Sequence, residues 1–67
     1  MRVQYDAEVD VLTIYLRDDK YAESDQVAPN LIVDFDEHGE AIAIEVLNAK
    51  RMLGGEKLNL ELPLSLR

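Results

Sequence analysis

The chain has 67 residues, a formal net charge of −7 and no cysteine. Disulfide stapling is excluded, His38 as the sole histidine argues against a zinc site, and the negative charge repels phosphate backbones and so argues against unaided nucleic-acid binding. Below roughly 70 to 80 residues a single core seldom supplies more than a few kcal/mol, so one domain over residues 1–67 is expected to gain further buried surface by oligomerisation or by docking onto another protein.

In chain order, Val3 and Tyr5 open a short strand, and the polar stretch Asp6 to Asp10 reads as a turn. Val11 to Leu16 is β-branched and aromatic throughout, which suits a strand far better than a helix. Arg17 to Lys20 is a second turn, and Tyr21 to Ala28 is a polar connection running partly extended along an edge, punctuated by Pro29-Asn30. Leu31 to Asp36 alternates as a strand. Glu37-His38-Gly39-Glu40 is a hairpin loop in which Gly39 supplies a positive φ, and Ala41 to Leu47 returns with Ile42, Ile44 and Val46 inward. Asn48 is the expected cap of a short helix, Ala49 to Leu53, that Gly54-Gly55 ends.

From Lys57 onward a leucine stands at every second position: Leu58, Leu60, Leu62, Leu64 and Leu66. Period-two alternation predicts a half-buried strand with an all-leucine face, because successive side chains of an extended chain point to opposite sides. This segment is the candidate assembly interface. The expected fold is therefore α+β: a small antiparallel sheet in a four-stranded meander, one short helix after strand four, and a C-terminal leucine-alternating strand. Residues 54–67 form the assembly element, and one short helix is too little to cover a sheet whose two faces are both partly apolar.

Charge is unevenly placed. Residues 1–45 carry three basic side chains against twelve acids, whereas residues 46–67 carry four against two. The two parts can attract each other, within one chain or between two. Asp6, Glu8 and Asp10 cluster in the first turn and are the candidate acidic surface for a partner; as an alternative they hold a divalent cation.

Asp34 to Glu45 imitates a calcium loop, with acids at its first and third positions, Gly39 at the sixth and Glu45 at the twelfth. The flanks contradict that motif, since a calcium loop joins two amphipathic helices and these alternate as strands. An acidic hairpin is preferred. Ser24, Thr13 and Ser65 are the candidate nucleophiles and His38 the one histidine base, but Ser24 lacks a glycine-flanked elbow. No catalytic residues, cofactor or metal ligands are assigned, and the protein is read as a non-enzyme. Met1 to Asp6 lacks the apolar core of a secretory signal, and the longest apolar stretch, Ala41 to Ile44, is far too short to cross a bilayer; a cytoplasmic protein without membrane attachment is expected.

The opening Val3 to Leu16, with its Tyr5-Asp6-Ala7-Glu8-Val9-Asp10-Val11-Leu12 core, then Ala22-Glu23-Ser24, Ile32 to Asp36, and Ile44-Glu45-Val46-Leu47-Asn48-Ala49, resembles the small prokaryotic proteins of domain of unknown function 2283 (DUF2283). The resemblance runs from Val3 to about Leu53. It implies a small β-sheet domain, brings no catalytic residues, and hints at an antitoxin-like association with a small basic protein. The expected function is a protein-interaction module that forms homo-oligomers, dimeric or higher, with a small basic protein as a further partner; the alternative is a small ligand-binding or divalent-metal-binding protein that uses its acidic turns.

Overall fold

The computed structural model describes residues 1–54. Five strands and one helical turn follow in chain order: β1 (Arg2–Asp6), β2 (Val11–Tyr15), β3 (Tyr21–Ala28), β4 (Leu31–Asp36), β5 (Ala41–Leu47) and α1 (Ala49–Met52). All strand pairs are antiparallel, in the spatial order β1-β2-β5-β4-β3. The sheet with one short helix agrees with expectation. The four-stranded meander does not, on two counts, and the leucine segment 58–66 lies outside the described residues.

The first correction is the extra strand. Tyr21 to Ala28, expected as a partly extended edge connection, is a full eight-residue strand that is exposed along nearly its whole length. It shows no apolar alternation because neither of its faces is buried; what holds it is its backbone ladder with β4, which composition does not reveal. The second correction is the order. β2 pairs with β5, Leu12 opposite Val46 and Ile14 opposite Ile44, so β2 to β5 form a Greek key to which β1 is added by a hairpin.

The registers sort the side chains onto two faces. Val3, Tyr5, Leu12, Ile14, Leu31, Val33, Ile44 and Val46 share the first, and Ala49 of α1 packs there against Leu12 and Val46. The second carries Arg2, Gln4, Asp6, Val11, Thr13, Tyr15, Ile32, Asp34, Ala43 and Glu45. Burial is shallow: Leu12, Ile42, Ala43, Val46 and Ala49 form the core, and among the described residues no large side chain is completely enclosed. Among the described residues the sheet has no second layer to press against, and α1 shields only the end of the first face where Leu12 and Val46 lie.

The Greek key requires the segment from Leu16 to Lys20 to cross the ends of β5 and β4, about 14 Å at the usual strand spacing. Three of its five residues are tied to the β4–β5 hairpin. The Leu16 amide donates to the Ile42 carbonyl at 2.8 Å, Arg17 donates to Asp36 Oδ2 at 2.6 Å and to Glu40 Oε1 at 3.0 Å, and Lys20 Nζ lies 3.2 Å from Glu37. Asp36 is 2 % exposed, and its other carboxylate oxygen accepts the His38 and Glu40 amides at 2.8 and 2.9 Å. Its own amide donates to the Glu40 carbonyl, and its carbonyl accepts the Gly39 amide. Gly39 takes the expected left-handed conformation, with φ of 82°.

These bonds favour the ionised carboxylate. The Glu40 amide, then the Arg17 guanidinium and the His38 amide, lower Asp36 from 3.8 to about 2, against burial, which acts in the opposite direction. A depressed folded-state value adds stability that is fully present above the ordinary 3.8 and is lost as pH falls through about 2. Asp36→Ala leaves two amides and a guanidinium without their acceptor and is expected to lower the melting temperature by roughly 10 °C or more at neutral pH. In urea unfolding between pH 2 and 5, the wild type should lose stability with acid more steeply than this variant. Parallel profiles would show that Asp36 is not the group that responds.

Candidate interaction surfaces

The acidic first turn separates into two kinds of residue. Asp6 Oδ1 accepts the Glu8 amide at 3.0 Å, a local turn bond, and both side chains remain exposed. Asp10 faces inward. It adopts a left-handed backbone with φ of 58°, and its Oδ1 accepts the Tyr5 hydroxyl at 2.6 Å and the Lys50 amide at 3.1 Å, while its carbonyl accepts the Ala49 amide at 3.0 Å. The Asp10 bond, followed by burial, raises the Tyr5 hydroxyl above its ordinary value.

Asp10 thus does the work expected of Asn48. Asn48 itself has φ of 53° and makes no side-chain cap bond; it turns the chain from β5 into α1, and the helix start is capped by an aspartate from forty residues upstream. Lys50 and Arg51 occupy the last turn, near the negative end of the helix dipole. Of the three acids in this turn, Asp6 and Glu8 remain exposed while Asp10 is engaged in the fold. Among the described residues no three histidine or carboxylate side chains are grouped so as to hold a metal ion.

The Asp34 to Glu45 segment is a hairpin, with Glu45 on β5 opposite Ile32 of β4 and Thr13 of β2. Asp34 and Glu45 share the second face of the sheet, and Asp36 is engaged with Arg17. A chain of polar groups crosses this face: Tyr21 and Ser24 hydroxyls lie 2.8 Å apart, Ser24 Oγ donates to Asp34 Oδ1 at 2.6 Å, and Glu45 stands diagonally across from Asp34 on β5. Arg2 lies over the Tyr15 ring, 4.1 Å from its centroid. Ser24 meets Tyr21 and Asp34 and not His38, which stands exposed in the hairpin loop; Thr13 lies on the second face, half-buried, and Ser65 is outside the described residues. Sequence reasoning set Asp34 and Glu45 in one motif, but their pairing across two strands depends on the register of β4 on β5, and the link to Ser24 and Tyr21 on that of β3 on β4.

The first face offers the larger apolar surface. Val3, Ile14, Leu31, Val33 and Ile44 are only half-buried on it, and the exposed Met52 and Leu53 stand at the end of α1. No helix among the described residues is long and apolar enough to cross a membrane.

The hydrogen bond with Asp34, then burial and the charge of Asp34, raise Glu45 above its ordinary 4.5. For a carboxyl raised in the fold, stability is full below 4.5 and is lost as pH rises through the higher folded value. Glu45→Gln should therefore gain in urea midpoint over the wild type as pH climbs from 4.5 towards neutrality. A difference between the two proteins that stays constant with pH would show that Glu45 and Asp34 do not interact.

Residues 2–50 match the family described as protein of unknown function DUF2283, which spans β1 to β5, the Arg17–Asp36 contact and the Asp10 cap of α1. An uncharacterized protein of Methanocaldococcus jannaschii is 32% identical over 60 residues, covering 90% of this chain and 51% of that protein. The chain spans about half the length of that curated relative. No solved structure matches it. With most of its length matched, and the matched part coinciding with the whole five-stranded sheet, the chain belongs to the DUF2283 family.

Proposed function

We propose that this protein is a non-enzymatic interaction module that self-associates, and that its acidic surface receives a small basic protein in an antitoxin-like manner. One observation carries the first part: the apolar first face leaves Ile14, Leu31, Val33 and Ile44 half-buried, and among the described residues only α1 packs on it. Completing the burial of such a face adds about 25 cal/mol per Å² removed from water, a large gain for a domain with so small a core. The leucine segment 58–66, from the same copy or another, has the alternation suited to that task.

The second part rests on charge. Twelve acids against three basic side chains over residues 1–45 produce a field that steers a basic protein towards the sheet, with Asp6 and Glu8 free of tertiary duties at one end of it. Such steering speeds association more than it slows dissociation.

Light scattering at micromolar concentration should report a mass at least twice the 7.6 kDa of one chain, reduced by Leu60→Asp or Leu62→Asp. A folded monomer at high micromolar concentration would rule out self-association. For the partner, a basic protein captured from the native host at low salt should associate more slowly as salt rises, and more slowly with Asp6→Asn plus Glu8→Gln. An association rate indifferent to both would remove the electrostatic part.

A further inference from the structure

The sheet ends in two very different edges. β3 is interrupted by register shifts between Tyr21 and Glu23 and between Gln26 and Ala28, so its outer backbone presents no regular row of donors and acceptors. β1 pairs with β2 over five residues without a shift, and among the described residues nothing pairs with its other side. It carries neither proline nor lysine, the residues that commonly blunt an edge.

We infer that β1 is a homodimerisation edge, which joins the β1 of a second copy antiparallel about a two-fold axis through Gln4 and extends the sheet across both chains. The sequence of β1 is complementary to itself in this register. Arg2 of each copy lies opposite Asp6 of the other, Val3 lies opposite Tyr5, and Gln4 meets Gln4 on the axis. Arg2, Gln4 and Asp6 occupy the second face and Val3 and Tyr5 the first, so the ion pairs form on one side of the joined sheet and an aromatic–β-branched pair forms on the other. Val3 and Tyr5 are half-buried in one copy and become interior columns in two.

Other registers lose these features. A shift of two residues sets Arg2 or Asp6 against Gln4 and leaves both charges without a cross-strand partner. A shift of one inverts the second copy, so that its apolar side falls beside the polar side of the first. Arg2 lies over Tyr15 on the second face and Asp6 accepts the Glu8 amide with one oxygen, and among the described residues neither forms an ion pair within its own chain. This inference rests on the reading that the chain self-associates, and adds the strand, the register and the symmetry.

Charge reversal separates the possibilities. Arg2→Asp places two acids opposite each other at both ends of the joint, Asp6→Arg places two bases, and each should weaken the homodimer by roughly tenfold or more at low salt. An equimolar mixture of the two variants restores opposite charges at both ends and should recover the dimer mass in light scattering. Neither the lost Arg2 contact with Tyr15 nor the lost Asp6 turn bond is repaired by mixing, so recovery reports the joint itself. Because the chain has no cysteine, Gln4→Cys gives a second readout: its Cα atoms meet at about 5 Å across the axis, within disulfide range, and should oxidise to a covalent dimer, whereas Gln26→Cys on β3 should not. If the wild type is oligomeric and both charge variants keep its mass, or their mixture gains nothing over either alone, the β1 joint is wrong while self-association stands. A monomeric wild type would overturn both.

Discussion

The connection from β2 to β3 crosses the ends of two strands, and its path is held chiefly by the Asp36 carboxylate. One oxygen of Asp36 shapes the β4–β5 hairpin through two amides, and the other holds Arg17 of the crossing segment. A local turn and a non-local topology therefore depend on the same buried charge. If that charge is lost, the crossing segment keeps only the Leu16–Ile42 backbone bond and the exposed Arg17–Glu40 and Lys20–Glu37 ion pairs to tie it to the hairpin. A buried carboxylate with all its acceptors satisfied by rigid donors is among the few polar devices that add stability as well as specificity, because no part of its desolvation is left uncompensated.

Asp10 plays the corresponding part at the opposite end of the sheet. Its carboxylate joins the β1–β2 turn, through Tyr5, to the start of α1, through Lys50. A helix of four residues has too few internal bonds to persist alone, so an acceptor supplied from outside decides whether it forms. Ala49, completely buried, is then delivered onto Leu12 and Val46. Two aspartates at the two ends of one sheet thus fix the elements that the small apolar core is too thin to fix. Glu45 is the opposing case: its neighbour Asp34 disfavours ionisation, so the sheet contains one carboxyl that favours the fold when charged and one that favours it when protonated.

How much of this was legible in the sequence follows from which signals are local. β2, β4 and β5 could be read because Leu12, Ile14, Val33, Ile44 and Val46 alternate or cluster with β-branched neighbours, and the hairpin because Gly39 stands where a left-handed residue is needed. β3 could not be recognised as a full strand because Glu23, Ser24, Asp25 and Gln26 give no period when neither side is buried. The Asn48 cap was misread because the residue type and spacing were right while the competing acceptor, Asp10, was remote in sequence. Arg17–Asp36 and Ser24–Asp34 join residues nineteen and ten apart, and a pairing at such separation is set by strand order, which a single sequence does not display.

The two register shifts of β3 have a consequence for how large an assembly can become. A flat sheet with two regular edges is a monomer unit in the polymer sense: each addition presents a fresh end, and growth stops only when material runs out. Irregular pairing along β3 removes one of the two ends. Among the described residues one regular edge remains, so a joining of edges would consume the open side of both participants and end there. The irregularity that makes β3 hard to recognise in the sequence thus separates a countable complex from a fibre.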